Sequence, residues 1–166
     1  MNERLRSLFA EYDTFHRNPI NQLTHKIAIP LIFFNAVAML DWLRLVPVGD
    51  LPNGSLTVAD IALVVVGVWY LKTDFKLGLV TLVMLVACLA IGWVTPVWVV
   101  VVAGIAGWII QLLGHLVWEK NAPNFTRNGI QSLVGPLYFI ALCTGDWVAP
   151  QAAAGPLAAS HDGGVR

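Results

Sequence analysis

Apolar positions fall along this chain in two regimes. From Asn2 to Phe15 they recur every three or four residues, at Leu5, Leu8, Phe9, Tyr12 and Phe15, while Arg4, Arg6, Glu11 and Asp13 fill the other faces. That period predicts an amphipathic helix lying on a membrane surface. Further on, the periodicity gives way to near-continuous apolar runs. Residues 27–40, 77–118 and 128–145 carry no Asp, Glu, Lys or Arg. A helix needs about 20 apolar residues to cross a bilayer core. The 42-residue run over 77–118 therefore fits two crossings, with Thr95-Pro96 as the turn between them.

The breaks between runs set the expected elements. Asn18-Pro19 pairs a good N-cap with the residue favoured at the first helical position, so a helix starts there. It enters the membrane near Ile27 and runs to Val46, with Pro30 kinking it or delaying its regular start. Pro47, Gly49, Pro52, Asn53 and Gly54 make residues 47–57 a loop. Further spans are expected at 58–71, 77–94 and 97–118, followed by a polar connector over 119–129. A fifth apolar helix follows at 130–148, interrupted at Gly135-Pro136. The Ala/Gly-rich residues 150–166 read as a disordered tail. The fold class is thus all-α: a polytopic membrane helix bundle of four to five transmembrane spans plus the N-terminal amphipathic helix, with residues 1–149 as one membrane-embedded domain.

Composition agrees. Of 166 residues, 57% are hydrophobic and 12% charged, and the mean hydropathy is +0.70. Soluble domains carry about 25% charged residues, so this chain lacks the polar surface to cover a water-soluble globule. Ten basic residues balance ten acidic ones, which leaves no field for nucleic acid. The first 26 residues hold seven charges and no apolar core segment, and nothing there reads as a cleavable signal. Cys88 and Cys143 fall inside expected spans and read as packing residues. With five spans and a cytoplasmic N-terminus, eight basic residues (Arg4, Arg6, Arg17, Lys26, Lys72, Lys76, Lys120, Arg127) lie inside and two (Arg44, Arg166) outside. Trp42, Trp93, Trp98 and Trp147 then form an outer aromatic belt, and Asp41, Asp60 and Asp146 sit at the interface. Short loops and small size favour a bacterial inner membrane, with an endoplasmic reticulum membrane as the other host.

That topology gathers the candidate chemistry. His16 and His25 precede the first span and His115 lies near the cytoplasmic end of the fourth, while His161 belongs to the tail. Nine residues of continuous helix would set His16 and His25 on opposite faces, and the Asn18-Pro19 break lets them converge. Asn21 shares a face with His25. Gln111, His115 and Glu119 form an i, i+4, i+8 line. Neutral imidazole binds iron, zinc, copper and nickel, and three histidines leave positions for a substrate. Asn21, Gln111 and Glu119 stand beside them as candidate catalytic or ring-orienting groups, although Glu119 is also placed to pair with Lys120 or Arg127. No G-x-S-x-G, Walker A, C-x-x-C or H-E-x-x-H motif occurs.

Two blocks carry a resemblance. Phe15-His16-Arg17-Asn18-Pro19-Ile20-Asn21-Gln22-Leu23-Thr24-His25, followed by Ile29-Pro30, has the form H-x-N-P-x-N-x-x-x-H…P. The stretch from Gly107-Trp108-Ile109-Ile110-Gln111 through Gly114-His115 to Trp118-Glu119-Lys120, with Pro123, Asn128 and Gln131-Ser132-Leu133, has the form W-I-x-Q-x-x-G-H-x-x-[FW]-E-K…P…N…Q-S-L. In order and spacing the chain from Tyr12 to Ile140 resembles the yeast-type 2-hydroxy fatty acid dioxygenase family. Some members carry a second His where this chain has Arg17, and an acidic residue where it has Arg127.

The resemblance implies an Fe2+-dependent oxidoreductase of fatty acid α-oxidation that shortens a 2-hydroxy fatty acid by one carbon with O2, among membrane lipids; no protein partner is implied. It implies His16, His25 and His115 as the metal ligands. Arg17, Lys26 and Lys120 are expected to neutralise the substrate carboxylate at the cytoplasmic mouth. The competing readings are another metal-dependent lipid hydrolase or hydroxylase on the same scaffold, and a non-enzymatic lipid-binding membrane protein.

Overall fold

The computed structural model describes residues 1–51, 53–123 and 128–148. Arg127, the tail and its His161 lie outside the described residues. Six α-helices run in the order α1 (Glu3–Asp13), α2 (Pro19–Asp41), α3 (Val58–Thr73), α4 (Phe75–Val94), α5 (Val97–Leu113) and α6 (Gln131–Thr144). A π-helical turn, Gly114–Glu119, extends α5. Three of these stretches are long and apolar enough to cross a membrane: Pro19–Asp41, Phe75–Val94 and Val97–Glu119. At 16 residues α3 is shorter, about 24 Å at 1.5 Å per residue.

Local chemistry explains the boundaries. Asn18 Oδ1 accepts from Ile20 N and Pro19 opens α2, as the sequence predicts. The helix then continues unbroken through Pro30. A reciprocal capping box starts α3, with Thr57 N donating to Asp60 Oδ2 at 2.8 Å and Asp60 N to Thr57 Oγ1 at 3.3 Å. Asp60 is therefore a capping residue at the head of α3. Asp74 alone joins α3 to α4, and its Oδ1 caps α4 by accepting from Leu77 N. Helix α2 ends at Asp41, short of the expected Val46, and residues 44–57, expected as a loop over 47–57, hold an antiparallel ribbon of β1 (Arg44–Pro47) and β2 (Ser55–Thr57). Two strands this short give no readable period-2 pattern.

These connections fix an up-and-down arrangement. The ribbon joins the far ends of α2 and α3. The near ends, namely the start of α2, the α3–α4 junction and the π turn after α5, gather at the opposite end of the bundle. There Glu119 bonds the backbone at Arg17 and Asn18. Helices α2 and α5 approach closely enough that a Cβ on Gly107 would lie 3.0–3.3 Å from Ile32, Leu31 and the Ala28 carbonyl.

Several expectations need correction. Helix α6 does not run to the far end. Its first turn takes the Tyr70 hydroxyl on the Leu133 carbonyl at 3.0 Å, and just past its end Asp146 pairs with Lys76 at 2.7 Å. Both anchors belong to the α3–α4 junction. Fourteen residues span only about 21 Å, and the helix continues through Gly135-Pro136 without interruption. Asp146 and Trp147 therefore sit at the near end, not in an outer belt. Cys143, on α6, is exposed rather than packed.

The apolar stripe of α1 is also spent differently. Leu5 and Phe9 are fully buried. Phe9 meets Tyr138 of α6 and Trp147 edge-on, each at 5.4 Å between centroids. The apolar stripe of α1 thus packs on α6. Asp13, buried at the end of α1, accepts from the Tyr138 hydroxyl and from Trp147 Nε1, which locks the two helices together.

Candidate metal centre

The three histidines arrive from different elements. His16 sits in the short link after α1, His25 lies on the second turn of α2, and His115 lies on the π turn. Their rings pack at 4.6, 4.9 and 4.7 Å between centroids, with planes 73–88° apart. One nitrogen from each ring lies within 4.8 Å of the others, and all three residues are buried. Among the described residues no other group of three His, Cys, Asp or Glu is placed to hold a metal ion.

Backbone carbonyls set the tautomers. His16 Nδ1 lies 2.9 Å from the Tyr12 carbonyl and His25 Nδ1 lies 2.8 Å from the Asn21 carbonyl, each four residues back. A carbonyl only accepts, so both Nδ1 atoms carry the proton and both Nε2 atoms keep the lone pair. His16 Nε2, His25 Nε2 and His115 Nδ1 are buried with no hydrogen-bond partner. Burial without a partner costs a polar atom about 1–3 kcal/mol, and a ligating nitrogen whose ring is held by a carbonyl behind it is the usual metal-site arrangement. The donor set fits a metal ion.

Packing holds the rings in place. Tyr12 stacks on His16 at 4.0 Å with planes 3° apart, and Phe139 of α6 lies against His25 at 5.6 Å and 26°. Burial drives the His16 imidazole well below its ordinary pKa, and the neighbouring His25 and His115 push the same way against the Tyr12 carbonyl. His16 is neutral at physiological pH, as a ligand must be.

The remaining candidates divide. Asn21 is fully buried and donates to Glu119 Oε2 at 3.0 Å and to the Phe15 carbonyl at 3.4 Å. Both Glu119 oxygens are engaged: Oε1 accepts from Arg17 N at 2.9 Å, and Oε2 from Asn18 N and Asn21 Nδ2, each at 3.0 Å. A π turn closes i→i+5 bonds, so the line from Gln111 through His115 does not carry on to Glu119. That carboxylate faces the start of α2. The turn presses close to α2 here, and a Cβ on Gly114 would overlap Thr24 Oγ1 and Asn21 Oδ1.

A cavity of about 150 Å³ reaches the centre from the α2–α5 side. Gln111, His16 and His115 line it, with Ile32 and Phe33 of α2 and Trp108 of α5 as apolar wall. Gln131, at the first position of α6, lines it too. The residue is 1% exposed, and neither amide atom has a hydrogen-bond partner among the described residues. Gln131 belongs to the second sequence block, but one Gln at a helix start gives no sign of its burial in the sequence.

A second, more open apolar cavity of about 260 Å³ flanks His25 between α2, α4 and α6 and takes in Lys26. Arg17, Lys26 and Lys120 are all exposed, and none lines the cavity at His16 and His115.

The fold and site together define a membrane helix bundle with a buried three-histidine centre fit for a metal. The family model described as 2-hydroxy-palmitic acid dioxygenase Mpo1-like matches residues 2–146, and the chain belongs to that family. A relative from Saccharomyces cerevisiae, 2-hydroxy-palmitic acid dioxygenase MPO1, is 31% identical over 150 residues, covering 82% of this chain and 76% of the relative. No solved structure matches the chain.

Proposed function

We propose that this chain is an Fe2+-dependent dioxygenase that shortens 2-hydroxy fatty acids by one carbon with O2, with residues 1–149 as its catalytic domain. The observation that carries the reading is the convergence of three buried histidines, each with a buried ring nitrogen that has no hydrogen-bond partner, in a chain of this family. His16, His25 and His115 would hold the metal. Bound there, iron supplies the redox chemistry with O2 that side chains lack.

The protein's own part is to hold and to exclude. The Tyr12 and Asn21 carbonyls keep the ring protons away from the centre. Tyr12 and Phe139 wall off water. Glu119 ties the His16 segment to the turn that carries His115, and Asn21 joins that clasp.

The acyl chain lies against Ile32, Phe33 and Trp108 and leaves the cavity toward lipid, because about 150 Å³ holds only a head and the first few carbons. Trp108 is 41% exposed at that opening. Lys26, at the mouth of the second cavity, and Arg17 and Lys120, on the same end, attract the acid to the membrane surface. We place the centre on the cytoplasmic side of a bacterial inner membrane. The support is that Arg4, Arg6, Arg17, Lys26, Lys72, Lys76 and Lys120 gather at the near end, against Arg44 at the ribbon.

The test is metal analysis by plasma mass spectrometry of protein purified without oxygen, followed by O2 uptake with 2-hydroxyhexadecanoic acid. About one iron per chain and substrate-dependent O2 consumption are expected. Zinc with O2-independent turnover would replace the reading with a lipid hydrolase. No metal, even after Fe2+ is added, would remove the centre altogether.

A further inference from the structure

Gln131 is buried at the start of α6 with an amide that no protein group satisfies. Capping does not explain it. The backbone N–H groups of residues 131–134 already donate to the carbonyls of Asn128, Gly129 and Ile130. An amide placed only to pack would be better replaced by Leu or Met, since unpaired buried polar atoms are destabilising. Gln131 is also one of the residues that line the cavity shared by His16, His115 and Gln111.

We propose that Gln131 is the specificity-determining residue that recognises the 2-hydroxy acid head, an inference that rests on the function proposed above. A carboxylate only accepts hydrogen bonds, whereas a hydroxyl on the next carbon also donates. The amide is the reciprocal pair: Nε2 donates to the carboxylate and Oε1 accepts from the hydroxyl. Among the described residues no cationic side chain lines this cavity, so what the side chains add to recognition turns on donor and acceptor pattern. A 2-oxo acid of the same length offers a metal the same pair of oxygens but has no hydroxyl hydrogen. It leaves Oε1 facing another acceptor, and a site built to bond a hydroxyl rejects analogues that lack it.

The test compares 2-hydroxyhexadecanoic with 2-oxohexadecanoic acid by calorimetric titration of metal-loaded protein in nanodiscs, kept anaerobic so that nothing turns over. Wild type is expected to bind the hydroxy acid at least about tenfold more tightly. In Gln131→Met and Gln131→Leu that preference should shrink to within about twofold, because the hydroxy acid loses both bonds and weakens about tenfold, while for the oxo acid the lost carboxylate bond is offset by relief of the acceptor–acceptor clash. Melting temperature and metal content should hold or rise, since no protein contact is lost.

A preference kept in both variants overturns the role of Gln131 and leaves the proposed function standing. So does a loss of melting temperature and metal content together, which would make the residue structural. Wild type that binds neither acid overturns the proposed function itself.

Discussion

Replacing Glu119 tests how the centre is held together. Its carboxylate accepts three N–H groups, two from the backbone just after His16 and one from Asn21. It thereby clamps the His16 segment to the turn that bears His115. Hydrogen bonds to a charged group contribute about 1.5–3 kcal/mol each. In Glu119→Gln the best orientation keeps the amide oxygen at the Oε2 position, with bonds to Asn18 and Asn21, and turns an NH2 against the Arg17 N–H. One charge-assisted bond is lost and the other two weaken, for about 2–3 kcal/mol in this half-buried position.

If that energy holds His16 in register with the other two rings, metal affinity falls by the same amount. The expected loss is about 30- to 150-fold at 1.4 kcal/mol per decade, near the 10–100-fold known for groups that orient ligands. Glu119→Ala, with all three bonds gone, should lose more. The assay is competition for metal against a chelator of known affinity, with O2-dependent turnover measured at saturating metal. A positioning Glu119 predicts weak metal binding and turnover that largely recovers when metal is added in excess. Unchanged metal affinity with turnover abolished in Glu119→Gln would refute this reasoning and make the carboxylate a proton carrier at the reacting atoms.

The other expectations are simpler to state. His16→Ala, His25→Ala and His115→Ala should each lose stoichiometric metal by plasma mass spectrometry while still partitioning with membranes, and metal retained in one variant removes that residue from the ligand set. Gly114→Ala drives a methyl into Thr24 and Asn21 and should cost about 1–3 kcal/mol, read as a lower melting temperature together with weaker metal binding. Asp13 has its carboxyl raised by burial, against the Tyr138 and Trp147 bonds that lower it. Between its unfolded and folded values the native state binds more protons than the unfolded chain, so this group's contribution grows as pH falls through that window and shrinks as pH rises. Asp13→Asn should flatten the dependence of melting temperature on pH from the ordinary carboxylate range upward; an unchanged slope would exclude the carboxyl as its source.

The helices that cross the membrane were legible because their signals are local. Asn18-Pro19 caps and opens α2 by chemistry contained in those two residues, and the uncharged run over 77–118 admits only two crossings. The meeting of His16, His25 and His115 followed from topology alone, since four helices of alternating direction, α2 to α5, separate His25 from His115. What sequence did not carry was orientation at the scale of a single turn. Whether α6 crosses or doubles back depends on Tyr70 bonding Leu133 and Lys76 pairing with Asp146, contacts between segments some 60–70 positions apart. The same contacts moved Trp147 from an expected belt to a bond with Asp13.

The π turn shows why the centre needs this irregular element. On a regular α-helix Glu119 would share the face of His115 and compete with it for the cavity. With the turn closed over a wider ring, His115 points inward and Glu119 reaches back to the start of α2. The turn ends at Lys120, whose backbone is left-handed at φ 54°. A non-glycine residue holds that conformation only where the surroundings impose it. Here Lys120 N donates to the His115 carbonyl, so the strained residue closes the turn that carries a candidate ligand. Stability given up in the winding is recovered in the clasp, and the clasp keeps the two histidine-bearing segments at one depth.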